Sequence, residues 1–260
     1  MKIVITGASG HIGRQLVPPL QRRGIDLLLV GRDTAKLGKM FPGALISGYN
    51  ELANAGRGAD LLVHLAVLNN DNTAALDQFE QVNVDLAFRV LGLTRDAGIR
   101  RFLNISTIHA PDDANQSNYA VSKRNANARL RAERSGTPEV LTVFLPAVVG
   151  QRLSGKLAVL DRVPERLRGA LLMVLSSLRP VVGIEHLANF LVEAARHAPM
   201  PSETILSDGQ QSNPVFLFLK RFIDLGFAFA VIVLLWWLLI LIWIGIKLQS
   251  PGPGIFSQCA

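Results

Sequence analysis

Between Leu225 and Ile246 the chain runs 22 residues without a charge, reading LGFAFAVIVLLWWLLILIWIGI. At about 1.5 Å per residue such a run forms a helix of roughly 33 Å, enough to cross the hydrocarbon core of a bilayer. A core helix of a soluble domain is usually shorter and keeps a polar stripe. This one has none, and it carries Trp236, Trp237 and Trp243. The run predicts a membrane segment, and the residues before it must fold as a domain on one side of that membrane.

Those residues number about 200, enough for one domain with a sizeable core. Basic residues exceed acidic ones, 27 against 20, for a net charge of +7. The arginines are spread over 89–101, 124–134 and 152–179 rather than gathered in one block. That suits phosphate-bearing ligands or an anionic membrane face, and equally a plain solvated basic surface. No basic stripe with interleaved aromatics is present, so nucleic acid is not an expected partner. The single cysteine, Cys259, excludes an internal disulfide and a multi-cysteine zinc site. Lys2 is followed by an apolar run that breaks at Thr6-Gly7, too short for a signal peptide. The domain is therefore expected in the cytoplasm.

Its first 150 residues alternate two patterns. Lys2–Thr6, Asp26–Val30, Asp60–Ala66, Arg101–Ser106 and Val140–Leu145 read as strands. His11–Arg23, Phe79–Ala97 and Tyr119–Arg134 read as helices, with Pro18-Pro19 a defect in the first and Gly98 suited to cap the second. Continuous apolar strands alternating with helices predict an α/β fold, a Rossmann-type parallel sheet with helices on both faces. Residues 151–180 break the rhythm, being basic and leucine-rich. A small substrate portion is expected over about 147–206. Within it, Val181–Ile184 and Glu185–His197 give one more strand and helix, and Thr204–Leu206 a last short strand. The polar stretch SDGQQSNP (207–214) begins a linker expected over 207–218, and the membrane segment occupies 219–260.

Thr6–Gly13 reads TGASGHIG, with Gly7, Gly10 and Gly13 three apart between the first strand and the first helix. The pattern has a mechanism. Gly7 allows a tight turn, Gly10 lets backbone approach a pyrophosphate, and Gly13 lets the helix pack on the strand. The helix N-terminus offers free N–H groups and partial positive charge, so Ser9, His11 and Ile12 join the three glycines as cofactor-binding candidates. The second strand ends at Val30-Gly31-Arg32. An acidic residue there would bond a ribose 2′-hydroxyl, whereas an arginine holds a 2′-phosphate. Arg32 therefore favours NADP over NAD, although Asp33 comes directly after it.

Tyr119-Ala-Val-Ser-Lys123 opens a predicted helix, and positions i and i+4 share a face. An ammonium near a phenol favours phenolate, and a phenol so tuned exchanges a proton with a hydroxyl or carbonyl during hydride transfer. Ser106-Thr107 ends a predicted strand, where open α/β sheets bind ligands. The five histidines do not sit at metal-ligand spacing, and no metal is expected; His109 is the one nearest the site. Asp112-Asp113 reads as a turn.

TGASGHIG, ADLLVHLA (59–66), Asn83-Val84, NIST (104–107) and YAVSK together resemble the extended short-chain dehydrogenase/reductases. This is the NAD-dependent epimerase/dehydratase family acting on nucleotide sugars. The resemblance spans roughly residues 1–210. It implies Tyr119 as the catalytic acid/base, Lys123 as its tuner and the holder of the nicotinamide ribose, and Thr107 as the catalytic hydroxyl, ahead of Ser106. Ala66, Asn83 and Pro146 match positions lining the cofactor, and PVVGIEHLA (180–188) matches the strand and helix closing the substrate portion. Two features depart from the family pattern: Tyr119 comes only 12 positions after Thr107, and residues 151–180 are compressed. Both regions shape a sugar pocket.

Residues 219–256, with Lys220-Arg221-x-x-Asp224 before the apolar run and Lys247-Leu-x-Ser-Pro-Gly-Pro253 after it, resemble the start of the bacterial sugar transferases. That family moves a sugar phosphate onto polyprenyl phosphate. Its catalytic portion lies further on, so this chain is expected to carry only a truncated start and no transfer activity. Relatives often break the membrane helix with proline, whereas Trp236-Trp237 stand there here and break nothing. Lys220 and Arg221 outnumber Lys247 and keep the domain on the cytoplasmic side of a bacterial inner membrane. The expected activity is NADP- or NAD-dependent reduction of a 4-keto UDP-sugar, with membrane lipid as partner along 222–248. A C4 epimerase and a non-catalytic nucleotide-binding scaffold are the alternatives, and a homodimer is left open.

Overall fold

The computed structural model describes residues 1–68, 74–150, 159–160 and 163–249. The apolar runs become short buried strands: β1 (Lys2–Thr6), β2 (Asp26–Val30), β3 (Leu45–Ser47), β4 (Leu61–His64), β5 (Arg101–Thr107) and β6 (Glu139–Leu145). With a last strand, β9 (Glu203–Ile205), they form one sheet in the order β3-β2-β1-β4-β5-β6-β9, every pair parallel. A second, two-stranded parallel sheet joins β7 (Ala147–Val149) to β8 (Val181–Gly183). The order reverses beside β1, which opens a crevice at the strand C-termini. Thr6 lies opposite His64 and His64 opposite Asn104, so β5 overhangs β4 by three residues and carries Thr107 out to that edge.

Side chains alternate across a strand, and the two cores obey that alternation. Ile3, Ile5, Leu29 and Leu103 face a layer formed by α1 (His11–Arg22), α2 (Thr34–Met40) and α8 (Ile184–Ala195), packing with Leu16, Leu20, Leu37, Leu187 and Leu191. Val4, Leu28, Leu62 and Phe102 face α3 (Leu52–Ala55), α5 (Leu86–Asp96) and α6 (Asn118–Ala132), packing with Leu52, Val90, Leu91 and Leu130. Burying a side chain of this size stabilises by about 1.5–3 kcal/mol, enough to hold the layers in place. This is the doubly covered Rossmann-type sheet that the strand pattern predicts.

The differences are local. α1 runs straight through Pro18-Pro19. Two backbone donors are lost, but Leu16, Val17 and Leu20 remain fully buried and hold the helix on the sheet. The strand expected over 60–66 ends at His64, because Leu65 and Ala66 leave the sheet to pack beside the glycine turn. The helix expected over 79–97 begins earlier, as α4 (Leu76–Glu80), and passes through a π-helical turn at Gln81–Asp85 before α5. α2, β3, α3, β7 and α7 (Glu165–Leu178) carry too few residues or too weak a period to be read from sequence.

The last helix, α9 (Pro214–Gln249), is 36 residues long and continuous. It begins inside the range assigned to the linker, leaving only a 3₁₀ turn at Gln210–Ser212 between domain and helix. Among the described residues, none of its apolar window is buried. It passes Trp236 and Trp237 unbroken, and the Trp237 indole donates to Leu234 O at 2.9 Å. The Ser250–Pro253 motif, Cys259 and most of 151–162 lie outside the described residues.

Candidate active site

The three glycines meet three different surroundings. Gly7 has a φ of +75°, and a Cβ there would lie 2.6 Å from Ala66 Cα, so the turn needs glycine for conformation and for space. A Cβ on Gly13 would lie 2.5 Å from Ala8 Cα, which is the close packing of helix on turn. Gly10 is different: its backbone is extended, and a Cβ would approach only Gly7 O, at 3.2 Å. The protein itself hardly requires glycine at that position, which fits a backbone left bare for a ligand.

α1 starts directly after Gly10. The first helical bond runs from Arg14 N to Gly10 O, so the N–H groups of His11, Ile12 and Gly13 lack intrahelical partners. No side chain caps this end and no acidic residue stands in its first turn. Ser9, half-buried, accepts from Arg14 Nε through its carbonyl at 2.7 Å, and His11 Nε2 lies 2.9 Å from Gln15 Nε2. A bare, uncapped N-terminus over a glycine cradle is a site for a pyrophosphate, so the residues present fit a dinucleotide.

At the end of β2, Arg32 is exposed. One oxygen of the Asp33 carboxylate caps α2, accepting from Lys36 N at 2.8 Å. The guanidiniums of Arg32 and Arg89 both act on the Tyr49 phenol, whose pKa burial nonetheless pushes up. This corner is electropositive, with the nearest acid occupied by a helix end.

Thr107 ends β5, and Tyr119 and Lys123 lie in the first two turns of α6, which Lys123 bonds to β5. Ser117 caps α6, accepting from Ala120 N, which places Tyr119 in the first turn. Lys123 is buried, one turn on, and donates to Ile105 O at 2.9 Å. Thr107 is buried, and its hydroxyl accepts from His109 N at 3.3 Å. Ser106 is engaged in a different bond, accepting from Asn127 Nδ2 at 3.0 Å. The expected depression of the Tyr119 phenol is not what this geometry gives. Burial pushes Tyr119 up to about 12 and Lys123 down to about 8. Desolvation by burial is the cause in both groups, and the ammonium donates to the Ile105 carbonyl.

Asn83, in the π-helical turn, is buried and fully bonded. It accepts from Leu68 N at 2.8 Å and donates to Leu68 O at 3.2 Å and Ser122 Oγ at 2.9 Å. It thus fastens the segment after β4 to α6. Ala66 is half-buried beside Gly7, and Pro146 is buried between β6 and β7.

Other residues that position this site carry no motif. Asn127 bridges Asn104 and Ser106, both bonds at 3.0 Å, and locks α6 against β5. Arg124 gathers the short 108–117 loop, donating to the carbonyls of Ala110, Asp112 and Asn115 and pairing with Asp113 at 3.2 Å. Asp112 closes a turn through Ala114 N. His64 is fully buried, bonded through Nδ1 to Thr6 Oγ1 at 2.9 Å and stacked on Phe102. Burial, then the nearby Lys123 charge, lowers its pKa to about 3. The i, i+3, i+4 spacing of polar residues on α6 is the one sequence signal that could have pointed to Asn127.

The family model described as "NAD dependent epimerase/dehydratase family" matches residues 3–205. The chain is 33% identical over 154 residues to a ceramide reductase of Caulobacter vibrioides, covering 57% of this chain and 46% of that protein. It is 30% identical over 155 residues to the UDP-2-acetamido-2,6-β-L-arabino-hexul-4-ose reductase of Pseudomonas aeruginosa, covering 58% and 37%. The matched segment thus covers under half the length of either relative. Among solved structures, a UDP-glucose 4-epimerase of Thermotoga maritima with UDP-glucose superimposes with a TM-score of 0.61 at 15% identity, over 80% of this chain and 77% of that one. At that identity the likeness concerns the fold.

Proposed function

The chain belongs to the NAD dependent epimerase/dehydratase family, and on that premise we propose that it reduces the 4-keto group of a UDP-linked sugar at the cytoplasmic face of a bacterial membrane, with NADP preferred over NAD. The cofactor, when bound, supplies the hydride. Gly7, Ser9, Gly10, His11, Ile12 and Gly13 would hold its pyrophosphate, Arg32 its 2′-phosphate and Lys123 the nicotinamide ribose, with Ala66, Asn83 and Pro146 lining the remainder.

The chain's own part is proton chemistry. Thr107 donates a hydrogen bond to the keto oxygen and holds it beside Tyr119. The Tyr119 phenol passes its proton to that oxygen as negative charge develops there, leaving a phenolate that solvent later reprotonates. The Lys123 ammonium stabilises that phenolate. A phenol pushed up to about 12 enters the reaction protonated, as a reduction requires.

The observation that carries reductase over epimerase is the capping role of Asp33. One oxygen of that carboxylate serves α2, and the exposed Arg32 beside it is a group to which a 2′-phosphate could pair, the mark of a reducing cofactor exchanged each cycle. For the anchor, α9 is unbroken and carries two cations before its apolar run against Lys247 after it, which supports a spanning helix with the domain inside. Its resemblance to the start of a sugar transferase gives the anchor a purpose: it keeps a sugar-modifying enzyme beside a lipid-linked step.

A second reading, reduction of a ketone on a long-chain lipid, is favoured by the likeness to the ceramide reductase together with the apolar helix. One experiment separates them. The detergent-solubilised protein is assayed for NADPH oxidation with a UDP-4-keto sugar and with a long-chain keto lipid, beside Tyr119→Phe and Arg32→Ala. The expected result is turnover of the sugar, lost in Tyr119→Phe, with Arg32→Ala weakening NADP but not NAD. Unchanged oxidation in Tyr119→Phe would refute the mechanism. Turnover of the lipid alone would transfer the proposal to the second reading, and tightly held NAD without net turnover would mark an epimerase.

A further inference from the structure

α7 has an apolar row that the domain does not cover. Leu167, Leu171, Val174 and Leu178 are 59%, 41%, 46% and 67% exposed. Their spacing of four, three and four puts them in one stripe along the helix. The neighbouring α8 behaves in the ordinary way, with Leu187, Leu191 and Ala194 fully buried. A contiguous apolar stripe on a surface helix marks an interaction face.

The rooting of α9 decides which phase lies near that stripe. Asn213 caps α9, its Oδ1 accepting from Val215 N at 2.9 Å and Phe216 N at 3.4 Å. The same side chain donates to Met173 O and Ser176 Oγ, both at 2.8 Å. Gln210 Nε2 adds a bond to Ser177 O at 3.1 Å. These bonds use other positions of α7 and leave the 167/171/174/178 row free. No flexible chain separates α7 from the root of the apolar helix. Exposed Lys220 and Arg221 stand two turns beyond Asn213, about 10 Å along the axis, at the height where headgroup phosphates meet a helix entering a bilayer. α7 is thereby bonded to the root of α9, and the bilayer that α9 would enter is the apolar phase within reach of its stripe.

We infer that α7 lies in the lipid interface as a second attachment element, its Leu167–Leu178 row seated on an anionic bilayer beside the root of α9. The inference rests on α9 being a membrane helix. It deepens that reading by fixing how the substrate portion sits: β7, β8 and α7 face the lipid surface in one orientation, rather than tumbling at the end of a tether.

The test uses the full chain with Cys259→Ser and a single new cysteine, Leu171→Cys, carrying an environment-sensitive fluorophore. A control label is placed at Lys36→Cys on exposed α2. The protein is reconstituted in phosphatidylcholine vesicles containing about a quarter phosphatidylglycerol, with and without doxyl-labelled lipid, and extracted with alkaline carbonate. The expected result is a carbonate-resistant protein whose label at 171 is blue-shifted and loses about half its intensity to the doxyl lipid, while the label at 36 is unaffected. A carbonate-resistant protein with a wet, unquenched label at 171 overturns the inference and leaves the membrane helix standing. Release by carbonate overturns the membrane reading, and the inference with it. A dry label that lipid does not quench but that cross-links to a second copy assigns the stripe to a dimer and also overturns it.

Discussion

The glycine turn gives the sharpest test of how the cofactor site is built, because each of its glycines is required for a different reason. Gly13→Ala puts a Cβ 2.5 Å from Ala8 Cα and 2.6 Å from Ala8 O, contacts that no side-chain motion relieves. Overpacking of this kind costs about 1–3 kcal/mol. At about 2–4 °C per kcal/mol for a chain of this size, the thermal midpoint falls by roughly 2–12 °C. Gly7→Ala adds the cost of a left-handed residue, about 1–2 kcal/mol, to a similar clash with Ala66. Gly10→Ala is the discriminating variant. Its backbone is extended and its new Cβ meets only Gly7 O at 3.2 Å, so about 1 kcal/mol or less is lost in the free protein. If a pyrophosphate sits on that backbone, the same methyl overpacks the complex by about 1–3 kcal/mol, which is roughly 5- to 150-fold in Kd. The assay is a thermal midpoint without ligand, paired with calorimetric titration of NADP. Gly10→Ala that melts as low as Gly13→Ala, or that binds NADP like the parent, would refute this assignment of roles.

Two further predictions concern the buried polar groups. His64 has its pKa lowered to about 3, so between pH 6.5 and 4.5 the unfolded chain takes up a proton that the folded chain refuses. Stability is therefore lost as pH falls through that window, approaching about 1.4 kcal/mol per unit at its acid end, and His64→Gln should flatten the acid side of a stability-against-pH curve by roughly 2 kcal/mol over the two units; parallel curves would contradict it. Arg101 is buried and bonds Glu139 as well as the carbonyls of Ala194 and Ala198 at the end of α8. Arg101→Leu should cost about 2–5 kcal/mol in denaturant unfolding, whereas Arg22→Ala, at an exposed pair with Glu185, should cost under about 1 kcal/mol; equal losses would show that burial is not what gives Arg101 its weight.

How far the sequence can be read depends on whether a residue's role is local. The strands are legible because burial on both faces demands an unbroken apolar run, as in LLVH of β4. The glycine turn is legible because its spacing is imposed by neighbours a few residues away. β3, three residues at the sheet edge, and α2, seven residues behind an Asp33 cap, have too little sequence for a period to show. The tuning of Tyr119 escapes sequence for a related reason. The i, i+4 spacing places Lys123 on the right face, but only the fold reveals that its ammonium bonds Ile105 O and that burial dominates both groups. Arg124 is invisible and Asn127 is hinted at only by its helical spacing, since a loop gathered by one guanidinium and a helix locked by one amide are contacts between distant segments.

The same distinction applies at the membrane end. The 22-residue apolar run is evident from composition, yet composition sets only length and not how the helix leaves the domain. A free linker of about a dozen residues would let the enzyme reorient over the bilayer surface. Instead Asn213 uses its oxygen to cap α9 and its amide to hold α7, so the first turn of the anchor is part of the domain's hydrogen-bonded structure. A membrane helix joined this way would transmit orientation as well as proximity. On the proposed reading of α9 as a membrane helix, proximity alone would be served by any tether. Under the proposed function, a fixed orientation would serve passage of product or substrate between the active site and the lipid surface.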